Sequence, residues 1–176
     1  GLPAALAAVS LHTAIRTGLR LGLSPAEVLD LVNDEFYDAY TRTDLLATAA
    51  VLSVDPQTGA FEQANAGHPP TLIGQQGQWT LLKATAPPIG VLPDLGVESQ
   101  EFQLKPGDLV TGYSDGYSEI ETAAGFWGEQ GLMQALGQTR ADADLAAEQI
   151  QRAAEIARAG HDLHDDQTLV IMSFRA

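Results

Sequence analysis

Residues 45–82 read LLATAAVLSVDPQTGAFEQANAGHPPTLIGQQGQWTLL. Leu45 to Val54 is a nearly continuous run of Leu, Ala and Val broken by little but Thr and Ser, the pattern of a buried strand. Asp55-Pro56-Gln57-Thr58-Gly59 stops it with a strong turn signal. Ala60 to Asn65 is then the return strand of a hairpin. Thr71–Ile73 and Trp79–Leu82 repeat the pattern across Gly74–Gly77 and make a second hairpin. Chains that turn back this quickly pair antiparallel, so the sheet here is built from hairpins and not from βαβ crossovers.

Towards the C-terminus, Gly96–Leu104 alternates imperfectly and reads as a further strand. Lys105-Pro106-Gly107-Asp108 is a turn, and Leu109–Tyr113 a short buried strand ending at Ser114-Asp115-Gly116. Two helices are expected over roughly 128–138 and 142–159, the second marked by Leu145, Gln149, Arg152 and Ile156 and ended by Gly160. Gln167–Phe174 closes the chain as a strand. Towards the N-terminus, residues 2–22 read as a helix with two apolar faces, Leu2, Leu6, Val9 and Leu11, Ile15, Leu19, which predicts burial on both sides or packing on a partner. Ser24-Pro25-Ala26-Glu27 opens a second helix to about Tyr40, with Ser24 as cap, Pro25 in the first turn and Glu27 as the capping-box acid. Helices, a run of antiparallel strands, helices and a strand predict an α+β layered sandwich and exclude a Rossmann-type parallel sheet.

The chain has 176 residues, suited to one domain. With 9 Lys+Arg against 23 Asp+Glu, its net charge of −14 argues against nucleic acid and anionic membrane surfaces as partners. It is compatible with divalent cations or basic partners, and equally with a plain solubilising surface. The absence of cysteine removes disulfides, thiolate metal sites and cysteine nucleophiles. Apolar stretches break well short of the ~20 residues that span a bilayer.

Carboxylates at strand boundaries are the candidate chemistry. Asp115 leaves an apolar strand just before Gly116, where a glycine permits close approach of backbone or ligand. Asp165 and Asp166 sit just before the last strand, and adjacent carboxylates repel unless a cation or donors lie nearby. Short hard-oxygen side chains suit Mg2+ or Mn2+. Each motif alone is also an ordinary turn sequence. His161 and His164 straddle Asp162 on a loop, a spacing that falls short of a dedicated transition-metal clip. His12 reads as a polar face residue, and Asp34-Glu35 as a solvated face beside the core residue Phe36. Phe126-Trp127-Gly128 reads as a packing element.

Three motifs occur in order: Asn65-Ala66-Gly67-His68-Pro69-Pro70; Lys105-Pro106-Gly107-Asp108 with Ser114-Asp115-Gly116-Tyr117-Ser118-Glu119; and His164-Asp165-Asp166-Gln167-Thr168-Leu169-Val170. Together they resemble the SpoIIE/RsbU-like branch of the metal-dependent (2C-type, PPM) serine/threonine protein phosphatases over essentially the whole chain. The resemblance implies a four-layer α-β-β-α sandwich of antiparallel sheets. It implies two Mn2+ or Mg2+ ions at one edge and direct attack of metal-held hydroxide on phosphoserine or phosphothreonine. By motif, Asp115 and Asp165 would be metal ligands and Asp166 a weaker or indirect one. Gly116 and His68 would lie at the site edge, His68 more as a turn-stabilising donor than as a general acid. Glu119 would bond the turn.

The family's Asp-x-x-Gly-His-Gly precedes a helix start like Gly1-Leu2-Pro3-Ala4-Ala5-Leu6. The expectation is therefore a single domain over 1–176 that lacks its first strands and a metal-bridging Asp, and is inactive as it stands. The resemblance further implies a cytoplasmic enzyme, a phosphoprotein substrate such as an anti-sigma-factor antagonist, and a sensor region ahead of the domain in the parent protein. The first two helices would serve regulation and homodimerisation. The alternative is a degenerate, non-catalytic protein-binding module. A magnesium-dependent phosphohydrolase of another kind would need a nucleophilic Asp near the start, and the first Asp is Asp30, mid-helix.

Overall fold

Ser24 opens its helix as the sequence demands. Its N–H and hydroxyl both donate to Glu27 Oε2, at 2.7 and 2.8 Å, and the Glu27 N–H donates back to Ser24 Oγ at 3.4 Å. This reciprocal box satisfies donors that a helix start leaves orphaned. The computed structural model describes residues 2–40, 45–123, 125–137, 139 and 141–175. Expectations for Gly1 and for the end of the helix at 138 lie outside the described residues.

One compact unit comprises Gly1–His68 and Lys83–Gln103. It holds α1 (Leu2–Arg20), α2 (Pro25–Tyr40), β1 (Ala49–Val54), β2 (Ala60–Ala66) and β5 (Gln100–Gln103), the strands forming an antiparallel sheet in the order β1-β2-β5. Val28, Leu29, Val32 and Phe36 recur along one side of α2 and bury against Val51, Ala64, Ala66 and Ile89. Asp34 and Glu35 face solvent beside buried Phe36, as expected. Fully buried Asn33 donates to the Leu92 carbonyl at 3.0 Å and accepts from the Gly90 N–H at 3.0 Å, fixing that loop to α2.

Three expectations change here. The strand foreseen from Leu45 starts at Ala49, with Ala47 making only an isolated bridge to Ile89. The strand foreseen over 96–104 shrinks to Gln100–Gln103, after Gly96 takes a φ of 57° that a strand cannot use. In α1, only the face of Ala7, Leu11, Ala14, Ile15 and Gly18 is covered. Leu2, Leu6 and Val9 are exposed, at 74%, 58% and 65%. The two apolar faces were legible, but not which one this chain covers. His12 is exposed, as expected.

Asp30 is the one acid of α2 under stress. One carboxylate oxygen is buried without a hydrogen-bond partner among the described residues. Burial pushes its carboxyl above the ordinary range, against a bond from the Val97 backbone and with added repulsion from Asp94 and Asp34. The folded chain therefore holds this proton more tightly than the unfolded chain, and stability falls as pH rises from 3.8 through the raised value. Asp30→Asn is expected to raise the thermal midpoint at neutral pH and to match the parent at about pH 3, where both states are protonated. Thermal melts across pH check this.

The second unit comprises Pro69–Leu82 and Leu104–Ala176. Its sheet has the order β4-β3-β6-β9, from β3 (Thr71–Gln75), β4 (Gln78–Leu82), β6 (Leu109–Tyr113) and β9 (Leu169–Ser173), all antiparallel. A one-turn helix α3 (Asp115–Ser118), a small hairpin of β7 (Glu121–Thr122) with β8 (Gly125–Phe126), α4 (Gly128–Leu136) and α5 (Ala143–Arg158) complete it. Neither α3 nor the small hairpin was foreseen, since segments this short carry no periodicity. Leu72, Leu109, Tyr113, Leu132, Leu136 and Ile150 form its core.

α5 forms where the sequence predicted a helix, but its weak markers do not form the buried face. Leu145 and Ile156 are exposed, and Ala146, Ile150 and Ala154 are buried instead. An i, i+4, i+8 row of mostly small residues lets this helix sit close to β9. Trp127 packs on the core as expected, while Phe126 is 66% exposed. Each unit sets helices on an antiparallel sheet, as the α+β reading requires.

Candidate metal centre

β6 and β9 run antiparallel, with Tyr113 opposite Leu169. The residues that follow β6 and those that precede β9 therefore emerge at the same end of the sheet. This alone brings Ser114-Asp115-Gly116 beside Asp165-Asp166-Gln167, although they are remote in sequence.

Hydrogen bonds then lock the two loops together. The Ser114 N–H donates to the Thr168 carbonyl at 3.0 Å, and the Thr168 N–H donates to Ser114 Oγ at 2.9 Å. Ser114 Oγ donates to the Asp166 carbonyl at 3.0 Å, and Gln167 Nε2 to the Gly116 carbonyl at 2.8 Å. Gly116 is required by space: a Cβ there would lie 2.3 Å from the Asp166 carbonyl oxygen. Ser114 and Gln167 are thus positioning residues that the sequence reading passed over. Their only signal was membership of the two motifs.

The carboxylates are held in matching ways. Asp115 Oδ1 accepts the N–H of Gly116 at 3.0 Å, and Asp165 Oδ1 that of Asp166 at 2.7 Å. Each acid is pinned through one oxygen by the next residue in the chain. Asp115, Gly116, Asp165 and Gln167 line a cavity of about 620 Å3, together with Glu119, His161 and His164. Asp166 is adjacent through its backbone but does not line this cavity. Glu119 closes the turn through its own N–H to the Asp115 carbonyl, at 2.8 Å, and not through its carboxylate.

Among the described residues no three His, Asp or Glu side chains converge into a ready metal cage. The donor set still fits a hard divalent cation. Mg2+ is commonly held by one or two carboxylates, with water and substrate phosphate completing its shell. Asp115 and Asp165 supply that pair of oxygen donors on one cavity, exposed to solvent. The rigid turn around Gly116 fixes their backbone.

His68 belongs to the other unit. Buried Asn65 clamps its turn, accepting the His68 N–H at 2.9 Å and donating to the His68 carbonyl at 3.1 Å. The His68 ring meets Thr48 Oγ1 at 3.1 Å through Nδ1. The turn is thus held through the His68 backbone, while its ring reaches Thr48. No helix among the described residues is long and apolar enough to cross a membrane.

The chain is similar to known proteins. Over 120 residues the chain is 31% identical to phosphoserine phosphatase RsbP of Bacillus subtilis, covering 66% of this chain and 30% of RsbP. It is 25% identical to phosphoserine phosphatase RsbU of the same organism over 98% of this chain and 52% of RsbU. The chain thus spans about half or less of these relatives. Among solved structures, the PP2C phosphatase domain of SpoIIE from Bacillus subtilis, with a fragment of its regulatory domain, superposes with a TM-score of 0.82 at 20% identity, covering 99% of this chain and 50% of that one. That likeness establishes the α+β fold of the PP2C-type phosphatases. The family model for stage II sporulation protein E matches residues 1–175, and the chain belongs to the SpoIIE family.

Proposed function

We propose that this chain carries the core of a Mn2+- or Mg2+-dependent serine/threonine protein phosphatase. The carrying observation is the meeting of Asp115 and Asp165 on one cavity, each carboxylate pinned by the following N–H. The likeness to RsbP and RsbU, which are phosphoserine phosphatases, supports the reading. Asp115 and Asp165 would hold the cations directly, with Asp166 acting more weakly. When bound, the cations supply Lewis acidity that activates water and offsets charge on the transferring phosphoryl group. The chain's own part is geometric. Ser114, Gly116 and Gln167 hold the two acid-bearing loops in one register, so the carboxylates do not reorganise during reaction. Water oxygen bonds to phosphorus, the P–O bond to serine breaks, and the serine oxygen takes a proton.

The reading includes a regulatory phosphoprotein as substrate, a sensor region ahead of the domain, a homodimer and a cytoplasmic setting. It treats residues 1–176 as belonging to a single phosphatase domain. The test is release of inorganic phosphate from phosphoserine peptides by the full-length protein. Release should require Mn2+ or Mg2+ and stop on chelation. Release that persists under chelation sinks the metal-dependent mechanism. A well-folded, metal-loaded protein that releases nothing favours the protein-binding module.

A further inference from the structure

α5 ends at Arg158, and the chain leaves it through two left-handed residues, Ala159 at φ 50° and Gly160 at φ 86°. The His161 N–H donates back to the Arg158 carbonyl at 3.0 Å, closing a tight reversal. The segment after it lines the cavity that holds Asp115 and Asp165, as does Arg158 itself. Ile120 and Phe126 give the same cavity an apolar part.

Two observations point beyond the phosphoryl group. At about 620 Å3, the cavity is far larger than a phosphate needs and lies in the range of about 300–1,000 Å3 that encloses drug-sized ligands. Second, Arg158 is half-buried, and among the described residues no carboxylate pairs with its guanidinium. A guanidinium stays charged at any working pH, and burial strips part of its hydration. The C-terminal end of α5 offsets some of that charge. Glu119, Glu121 and Asp162 also line the cavity, all of them exposed, so among the described residues Arg158 is its one guanidinium amid several acids.

We propose that this cavity receives the stretch of phosphoprotein next to the phosphoserine, and that Arg158 reads an acidic side chain within that stretch. The assignment rests on the phosphatase reading above. Arg158 thereby becomes a specificity-determining residue, separate from the carboxylates that would hold metal.

The test uses the full-length protein with Mn2+ and three substrates: p-nitrophenyl phosphate, a phosphoserine peptide flanked by Asp and Glu, and the same peptide with those residues changed to Ala. The parent should prefer the acidic peptide. Arg158→Gln should raise KM for the acidic peptide by about tenfold, as loss of one charge-assisted contact predicts. It should leave kcat, and all p-nitrophenyl phosphate hydrolysis, within about twofold, and abolish the preference. Arg158→Lys should restore part of it. Equal loss on all three substrates overturns the proposal, since Arg158 would then serve the phosphoryl group or the fold. A parent without acidic preference overturns it too. A parent inactive even on p-nitrophenyl phosphate overturns the phosphatase reading itself, and this inference with it.

Discussion

Asp115→Asn is expected to lower metal-dependent turnover of the full-length protein by about 10³-fold, since losing several kcal/mol of metal-borne stabilisation costs about tenfold per 1.4 kcal/mol. Asparagine keeps the shape and the oxygen that accepts the Gly116 N–H. It loses the charge a hard cation needs. Because Asp115 is exposed, the change should leave the thermal midpoint nearly unmoved. Asp165→Asn should match it, for the same reason and with the same pinned geometry. Asp166→Asn should cost far less, about tenfold or under, because its part in the loop is played by its backbone carbonyl. Steady-state kinetics across a Mn2+ titration separates the three. Equal losses at Asp165 and Asp166 would make both direct ligands.

Gly116→Ala should damage both fold and site. The new Cβ would fall 2.3 Å from the Asp166 carbonyl oxygen, a backbone atom that cannot rotate away. Either α3 or the 164–167 loop must shift, breaking the bonds from Ser114 and Gln167. Overpacking of this kind costs about 1–3 kcal/mol of stability. A displacement near 1 Å at the carboxylates costs about 10²-fold in rate. Gly112→Ala is the matched comparison: it lies on β6, and a Cβ there meets nothing within 4 Å. Urea unfolding should find Gly116→Ala destabilised and Gly112→Ala close to the parent. Equal effects would refute the close-approach account of Gly116.

What the sequence made legible follows from local chemistry. Leu109–Tyr113 was read with the observed bounds, because a turn precedes that apolar run and Ser-Asp-Gly ends it. Ser24 and Glu27 announced α2 through a cap that needs no tertiary partner. Both hairpins of residues 45–82 were visible from their turns. Burial was harder to read. Leu2, Leu6 and Val9 look like core residues but are exposed, while α5 buries alanines that carry little apolar signal. Periodicity shows that a face exists; tertiary packing chooses which one is covered. At the site, Asp115, Asp165 and Gly116 were named from motifs. Their juxtaposition depends on the β6–β9 register, which no local pattern encodes. Arg158 is not marked by any motif around it in sequence; it stands at the end of α5, and the reversal at Ala159 and Gly160 brings the segment that follows onto the same cavity.

The most direct test of the central claim is p-nitrophenyl phosphate hydrolysis by the full-length protein as a function of Mn2+, in the parent and in Asp115→Asn/Asp165→Asn. The account predicts saturable Mn2+ activation in the parent and none in the double variant, with both equally folded. Activation that survives in the double variant would contradict it, because the metal would then be held somewhere other than at these two strand ends.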